Sequence, residues 1–178
     1  MDTVRFRHAH FSARFPVDCR YAPSHFWMRP AAEEAGGEAG GGRLWRVGFT
    51  KFATRMLGEL VELRLECPAG ATVEGGDRLG TVEGFKAVSD LFCVVDGTLA
   101  GANPGLTAEA CLTHSDPYGA GWLYAVRGEP AAGHLDVQEY VALLTTTINR
   151  LEASRRAGHD GEAAAPFGTD STLPGDEG

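Results

Sequence analysis

The stretch from Thr81 to Asp90, TVEGFKAVSD, sets one lysine between two apolar runs. RLGTVEG, Arg78 to Gly84, and LFCVV, Leu91 to Val95, both read as strands, so the spacing places Lys86 at a hairpin tip. The chain holds 16 Lys plus Arg, and only Lys51 and Lys86 are lysines. Arginine stays protonated, whereas a lysine ε-amine can lose its proton and be acylated. A lone lysine on a turn is more often a solvated surface residue than a reactive one. Its rarity and position make Lys86 a candidate for covalent chemistry.

Outward from that turn the same pattern continues. ELVELRLE, from Glu59, alternates as a half-buried strand, and CPAGATVEGGD carries turn chemistry through Pro68, Gly70, Gly75 and Gly76. Asp96-Gly97 reads as a tight turn. Short strands at close spacing predict a mainly β sandwich or barrel. Further upstream, RYAPSHFWMR, Arg20 to Arg29, enters a strand with Phe26 and Met28 on one face and His25 and Trp27 on the other. RLWRVGF, from Arg43, resumes the strand pattern after the small-residue connector PAAEEAGGEAGGG, which makes a long-looped hairpin of the two. No phosphate-cradling glycine pattern opens a helix there.

Two stretches follow a helical period. TKFATRMLG predicts a short helix with Thr50 as N-cap, Phe52 and Met56 on one face, and Gly58 as the stop. From Asp136, Val137, Tyr140, Val141, Leu144, Ile148 and Leu151 form a helical stripe, and Asp136 with Glu139 forms a capping pattern. The predicted organisation is an N-terminal extension over 1–20, a β domain over 21–134, an amphipathic helix over 135–157 packed on it, and a disordered acidic tail over 158–178.

Composition narrows the function. A net charge of −8 argues against nucleic-acid binding. No apolar run reaches the roughly 18 residues a membrane span needs, and no apolar segment follows Arg5, Arg7 and Arg14 to make a secretory signal. Cys19, Cys67, Cys93 and Cys111 are scattered, which fits neither a zinc site nor a disulfide framework and predicts free thiols in a reducing, cytoplasmic setting. His8 and His10 are open to sharing one strand face, but unliganded surface histidines are the expected reading.

Five segments in order carry a resemblance. SHFWMR retains the histidine and tryptophan of an E-H-E-W-V segment, as His25 and Trp27. VGFTKFATRMLGELVEL resembles V-G-I-T-x-x-A-x-x-x-L-G-D through Thr50, Ala53, Leu57 and Gly58. VEGFKAVSDL is similar to the E-S-V-K-A-x-S-D turn, SDPYGAGWL (Ser115 to Leu123) is close to a consensus, and Tyr140, Leu143 and Leu144 resemble a Tyr-x-x-Leu-Leu helix. Together they resemble the lipoyl-carrying H protein family of the glycine cleavage system. The resemblance implies a flattened β-barrel of the lipoyl/biotinyl hammerhead type. It implies a non-catalytic carrier with lipoate on Lys86, and partners in glycine decarboxylase (P protein), aminomethyltransferase (T protein), dihydrolipoamide dehydrogenase (L protein) and lipoate-attaching enzymes, in the cytoplasm or, in a eukaryote, the mitochondrion.

Around the lysine, Glu83 and Asp90 are expected either to be recognised by the attaching enzyme or simply to solvate the turn. His25, Trp27 and the Asp116-Pro117-Tyr118 turn are expected to form surface against the loaded arm or to be ordinary core. The pattern departs at Gly84 and Phe85, where the family usually has Ser or Thr followed by Val, at Glu59 for Asp, and at Val88 for a small residue. Gly84 is expected to loosen the turn and Phe85 to set an aromatic beside the arm. A carrier for another lipoate-dependent pathway (sulfur oxidation or lipoyl relay) and an unlipoylated interaction module stay open at this point.

Overall fold

In the computed structural model, which describes residues 1–32 and 42–158, the alternating runs become eleven strands and the two helical periods become helices. Most of the connector and all of the tail beyond Gly158 lie outside the described residues. A six-stranded antiparallel sheet runs in the order β3 (Arg20–Tyr21), β4 (Phe26–Pro30), β5 (Arg43–Phe49), β11 (Tyr124–Pro130), β10 (Val95–Ala102) and β7 (Thr72–Val73). β6 (Leu60–Leu65), β8 (Arg78–Gly84) and β9 (Val88–Phe92) form a second sheet, and β1 (Thr3–His8) pairs with β2 (Phe11–Pro16) as a third. The expected barrel is thus not closed; among the described residues all three sheets are open.

Two cores divide the side chains. The first lies between the large and the three-stranded sheets and holds Phe26, Met28, Val47, Leu79, Val82, Leu91, Leu99 and Val126. The second holds Phe6, Phe11 and Phe15 of the hairpin, Tyr21, Trp27, and the buried stripe of α4 (Val137–Arg156). Strand alternation explains β4: Phe26 and Met28 enter the first core and Trp27 the second, so all three are buried although they point to opposite faces. α1 (Lys51–Leu57) is shared in the same way, with Ala53 and Leu57 in the first core and Phe52 and Met56 at the second.

The helix ends follow the sequence. Thr50 accepts the Ala53 N–H, and Gly58, at φ 81°, ends α1 in the left-handed region that glycine adopts without strain. At α4 the Asp136–Glu139 capping box forms in both directions, an arrangement whose side-chain cap typically contributes about 1 kcal/mol. The residues of the N-terminal extension form a hairpin packed on α4, where His8 Nε2 lies 2.6 Å from Asn149 Oδ1. His10 lies in the hairpin's turn while His8 lies in β1, so the two do not share a strand face.

Asp96-Gly97 is not a turn. Both residues lie inside β10, and a Cβ on Gly97 would stand 2.0 Å from the Arg127 carbonyl oxygen on β11. The glycine serves close strand approach. Two short helices, α2 (Gly105–Ala108) and α3 (Leu112–Ser115), complete the fold and bring His114 towards α1.

Candidate functional site

Lys86 sits in the turn joining β8 to β9, as the spacing predicted. This turn is tied from behind. The Phe85 N–H donates to Glu59 O at 3.0 Å, the Lys86 N–H to Leu57 O at 3.0 Å, and the Gly84 N–H to Ala87 O at 2.9 Å. Two of these acceptors flank Gly58, so the connection between α1 and β6 fixes the root of the lysine. Gly58 also seats the side chain: a Cβ there would stand 3.0 Å from Lys86 N and 3.1 Å from Lys86 Cγ.

Gly84 does not loosen this turn. Its backbone is not in the left-handed region, and a Cβ would stand 2.4 Å from Leu57 O. Its role is to let the turn approach α1 closely.

The Lys86 ammonium is exposed and donates to Arg55 O, in the last turn of α1, at 3.2 Å. The carbonyl end of a helix attracts a cation, but a single long exposed bond holds it weakly. No carboxylate pairs with Lys86 among the described residues. The amine can therefore be replaced by an amide at little cost to the fold, and the space around it is open to a long substituent.

A cleft of about 280 Å³ opens at this root, lined by Phe11, Ser12, Lys51, Thr54, Arg55, Gly58, Lys86 and His114. Both lysines of the chain thus face one cleft. Lys51 Nζ donates to His114 O at 3.0 Å. The His114 imidazole is held below its usual range, first by burial and then by the Lys51 ammonium, against the opposing pull of Glu59 and a backbone hydrogen bond to Thr54. Its Nδ1 has no hydrogen-bond partner among the described residues. Sequence reasoning missed this assembly; the rarity of lysine was a signal for Lys51, but no local pattern brings His114 or the hairpin to the turn.

The remaining expected residues fall into two groups. Glu83, Phe85 and Val88 surround the turn on the outside, with Phe85 77% and Val88 63% exposed. Phe85 is an exposed aromatic next to Lys86. Asp90 is engaged: its Oδ1 accepts from Arg78 Nε at 2.8 Å, and Arg78 also bonds Glu66, whose carboxyl it holds below the usual range. His25 and Trp27 are core, 3% and 0% exposed. Trp27 Nε1 donates to Pro117 O at 2.9 Å, and His25 Nδ1 lies 2.9 Å from the Tyr140 hydroxyl, which in turn lies 2.9 Å from Thr50 Oγ1. Burial alone pushes the His25 imidazole down to about 4. These two side chains are core and offer no exposed surface; they brace the layer beneath α1. The Asp116-Pro117-Tyr118 turn braces it too, since the Tyr118 hydroxyl accepts the Lys51 backbone N–H at 2.9 Å and its carbonyl accepts from Arg29.

Comparison with known proteins bears on this geometry. The family model for the glycine cleavage H-protein matches residues 20–147. The chain belongs to the glycine cleavage H-protein family. The glycine cleavage system H protein of Pseudoalteromonas atlantica is 35% identical over 131 residues, spanning 72% of this chain and 94% of that one. That of Mycobacterium avium is 36% identical over 137 residues, spanning 73% and 96%. The crystal structure of the H protein from Mycobacterium marinum matches with a TM-score of 0.61 at 35% identity, covering 72% of this chain and 97% of that one. H proteins therefore account for the two larger sheets and the first half of α4. The β1–β2 hairpin and the end of α4 lie outside the family match.

Proposed function

We propose that this chain is the lipoyl carrier of a glycine cleavage system, with lipoate joined to Lys86 by an amide. It works in the cytoplasm between glycine decarboxylase (P protein), aminomethyltransferase (T protein) and dihydrolipoamide dehydrogenase (L protein), after loading by a lipoate-attaching enzyme. The observation that carries this reading is an exposed lysine, free of carboxylates, on a turn whose root is hydrogen-bonded to the α1–β6 connection, in a chain that belongs to the H-protein family.

When bound, the lipoyl group supplies a dithiolane that accepts the aminomethyl unit and is later reoxidised by thiol–disulfide exchange. The protein's residues supply position. Amide formation removes the Lys86 charge and with it the ionic part of its contact to Arg55 O, so the side chain is freed from the helix end. The two N–H bonds to Leu57 and Glu59 keep the root still while the side chain beyond it moves. Phe85 and Val88 present apolar surface on the partner-facing side. Glu83 is left as the carboxylate for recognition by the attaching enzyme, because the Asp90 charge is already met by Arg78.

Peptide mapping by mass spectrometry of protein from its native host tests the attachment site. A lipoyl adduct on Lys86 is expected; an adduct on Lys51, or none in a host that lipoylates other proteins, overturns the assignment. Lys86→Arg should fold normally and carry no adduct, since a guanidinium offers no acylatable amine. For the pathway, lipoylated protein with glycine decarboxylase should exchange labelled bicarbonate into glycine. Correctly modified, folded protein that is inactive with its own host's decarboxylase would remove glycine cleavage and leave another lipoate-dependent pathway.

A further inference from the structure

The hairpin added ahead of the family core carries a charge pattern that its own stability does not explain. Arg5 pairs directly with Arg14 across the two strands, and Arg7 follows beside Ser12 on the same outward face. Like charges directly opposite on antiparallel strands destabilise the pair. None of the three arginines has an ion-pair partner among the described residues. A hollow of about 410 Å³ beside them is lined by Arg5, Arg7, His10 and Ser12, among others, and it shares Phe11 and Ser12 with the Lys86 cleft. The result is a continuous basic tract from the hairpin to Lys51 and Lys86, on a chain whose net charge is −8.

The other addition to the family core supplies the opposite charge. α4 runs past the family match and packs its far end against the hairpin tip, where Leu151, Glu152 and Arg155 border a second hollow together with His10 and Phe11. The sequence then continues as residues 159–178, which contain Asp160, Glu162, Asp170, Asp176 and Glu177 and no Lys or Arg. Twenty residues span at most about 70 Å when extended, far more than the distance around a hairpin tip. Attachment makes the encounter intramolecular, with an effective concentration in the ~mM range.

We propose that the acidic segment 159–178 docks on the arginine face of the β1–β2 hairpin, beside the entrance to the Lys86 cleft. Each carboxylate there offsets the repulsion between Arg5 and Arg14. A docked segment also screens the positive charge at the root of the lysine. The inference holds for the unmodified protein and is independent of what Lys86 carries.

The test compares the full chain with a full chain in which all five acids are neutralised (Asp160→Asn, Glu162→Gln, Asp170→Asn, Asp176→Asn, Glu177→Gln). The readout is the backbone amide NMR shifts of Arg5, Arg7, Ser12 and Arg14. At ~10 mM salt, where the screening length is about 30 Å, these amides should differ between the two proteins; at ~1 M salt, where it is about 3 Å, the difference should vanish. The full chain with Arg5→Gln, Arg7→Gln and Arg14→Gln should show the reciprocal change at the acidic segment's own amides. Hairpin shifts that coincide at low salt overturn the proposal, as do differences that survive high salt. Differences that grow with protein concentration overturn it in favour of a contact between two copies.

Discussion

Replacing Gly84 with alanine tests how the lysine turn is mounted. The new methyl carbon would stand 2.4 Å from Leu57 O and 2.6 Å from Leu57 Cγ. Neither neighbour is a loose end: the carbonyl accepts the Lys86 N–H, and the side chain is 1% exposed in the first core. Relief therefore requires the turn to move off α1, stretching the Lys86–Leu57 and Phe85–Glu59 hydrogen bonds together. Forcing a methyl into a packed site costs about 1–3 kcal/mol, and two weakened hydrogen bonds cost roughly 0.5–1.5 kcal/mol each. The sum, ~2–6 kcal/mol, should lower Tm by roughly 4–24 °C in a protein of this size. Thermal and urea unfolding followed by circular dichroism measure it, with the urea midpoint falling while the slope stays constant. Gly84→Ser, which moves the turn towards the usual family residue, meets the same two atoms and should fall as far. Variants that unfold at the parent temperature would refute the packing argument, and with it the claim that α1 fixes the turn.

Two further predictions concern buried titratable groups. His25 binds its proton near 6.5 in the unfolded chain but only near 4 in the fold, so the unfolded state holds more protons in between and stability falls as pH drops from about 6.5 to about 4, by ~3 kcal/mol. His25→Asn, a residue that tolerates the φ of 69° found there, should flatten that part of the urea midpoint against pH curve; an unchanged slope would assign the effect elsewhere. The thiols divide by burial: Cys19 is pushed up to about 12 and Cys93 to about 11, both mainly by desolvation, while Cys111 is exposed. Iodoacetamide at pH 8 should label Cys111 in the folded protein and reach Cys19 and Cys93 only after denaturation, and equal labelling rates for the three would contradict the burial.

The sequence was most legible where a local pattern has one physical solution. Thr50 and Gly58 bracket α1, and Asp136 with Glu139 opens α4, because capping chemistry is decided within four residues. The place of Lys86 followed from two apolar runs with a turn between them. What was misread depended on partners distant in sequence. Gly84 and Gly97 read as turn residues, yet both are glycine because another strand or helix carbonyl passes too close for a side chain. For His25 and Trp27 surface and core are both open in the sequence, and alternation along the chain points them away from Phe26 and Met28. The second core, built by the hairpin and α4, covers that face. Nothing local in the first twenty residues announces that Phe6, Phe11 and Phe15 have an aromatic cluster to enter, where Phe15 meets Tyr140 edge-on at 5.3 Å and Tyr140 stacks on Tyr21 at 4.7 Å.

The tie between the Lys86 turn and the carbonyls of Leu57 and Glu59 reaches beyond geometry. Those acceptors stand nearly thirty positions earlier in the chain, on the far side of β6, so the turn takes its shape only after the three-stranded sheet has closed on the end of α1. A peptide copying Thr81 to Asp90 has the lysine and both flanking acids but neither carbonyl. An enzyme that reads the shape of the turn would thereby inspect the product of folding, passing over nascent or damaged chains. On the proposed function, attachment of the arm would then double as a certificate that the mount beneath it is sound.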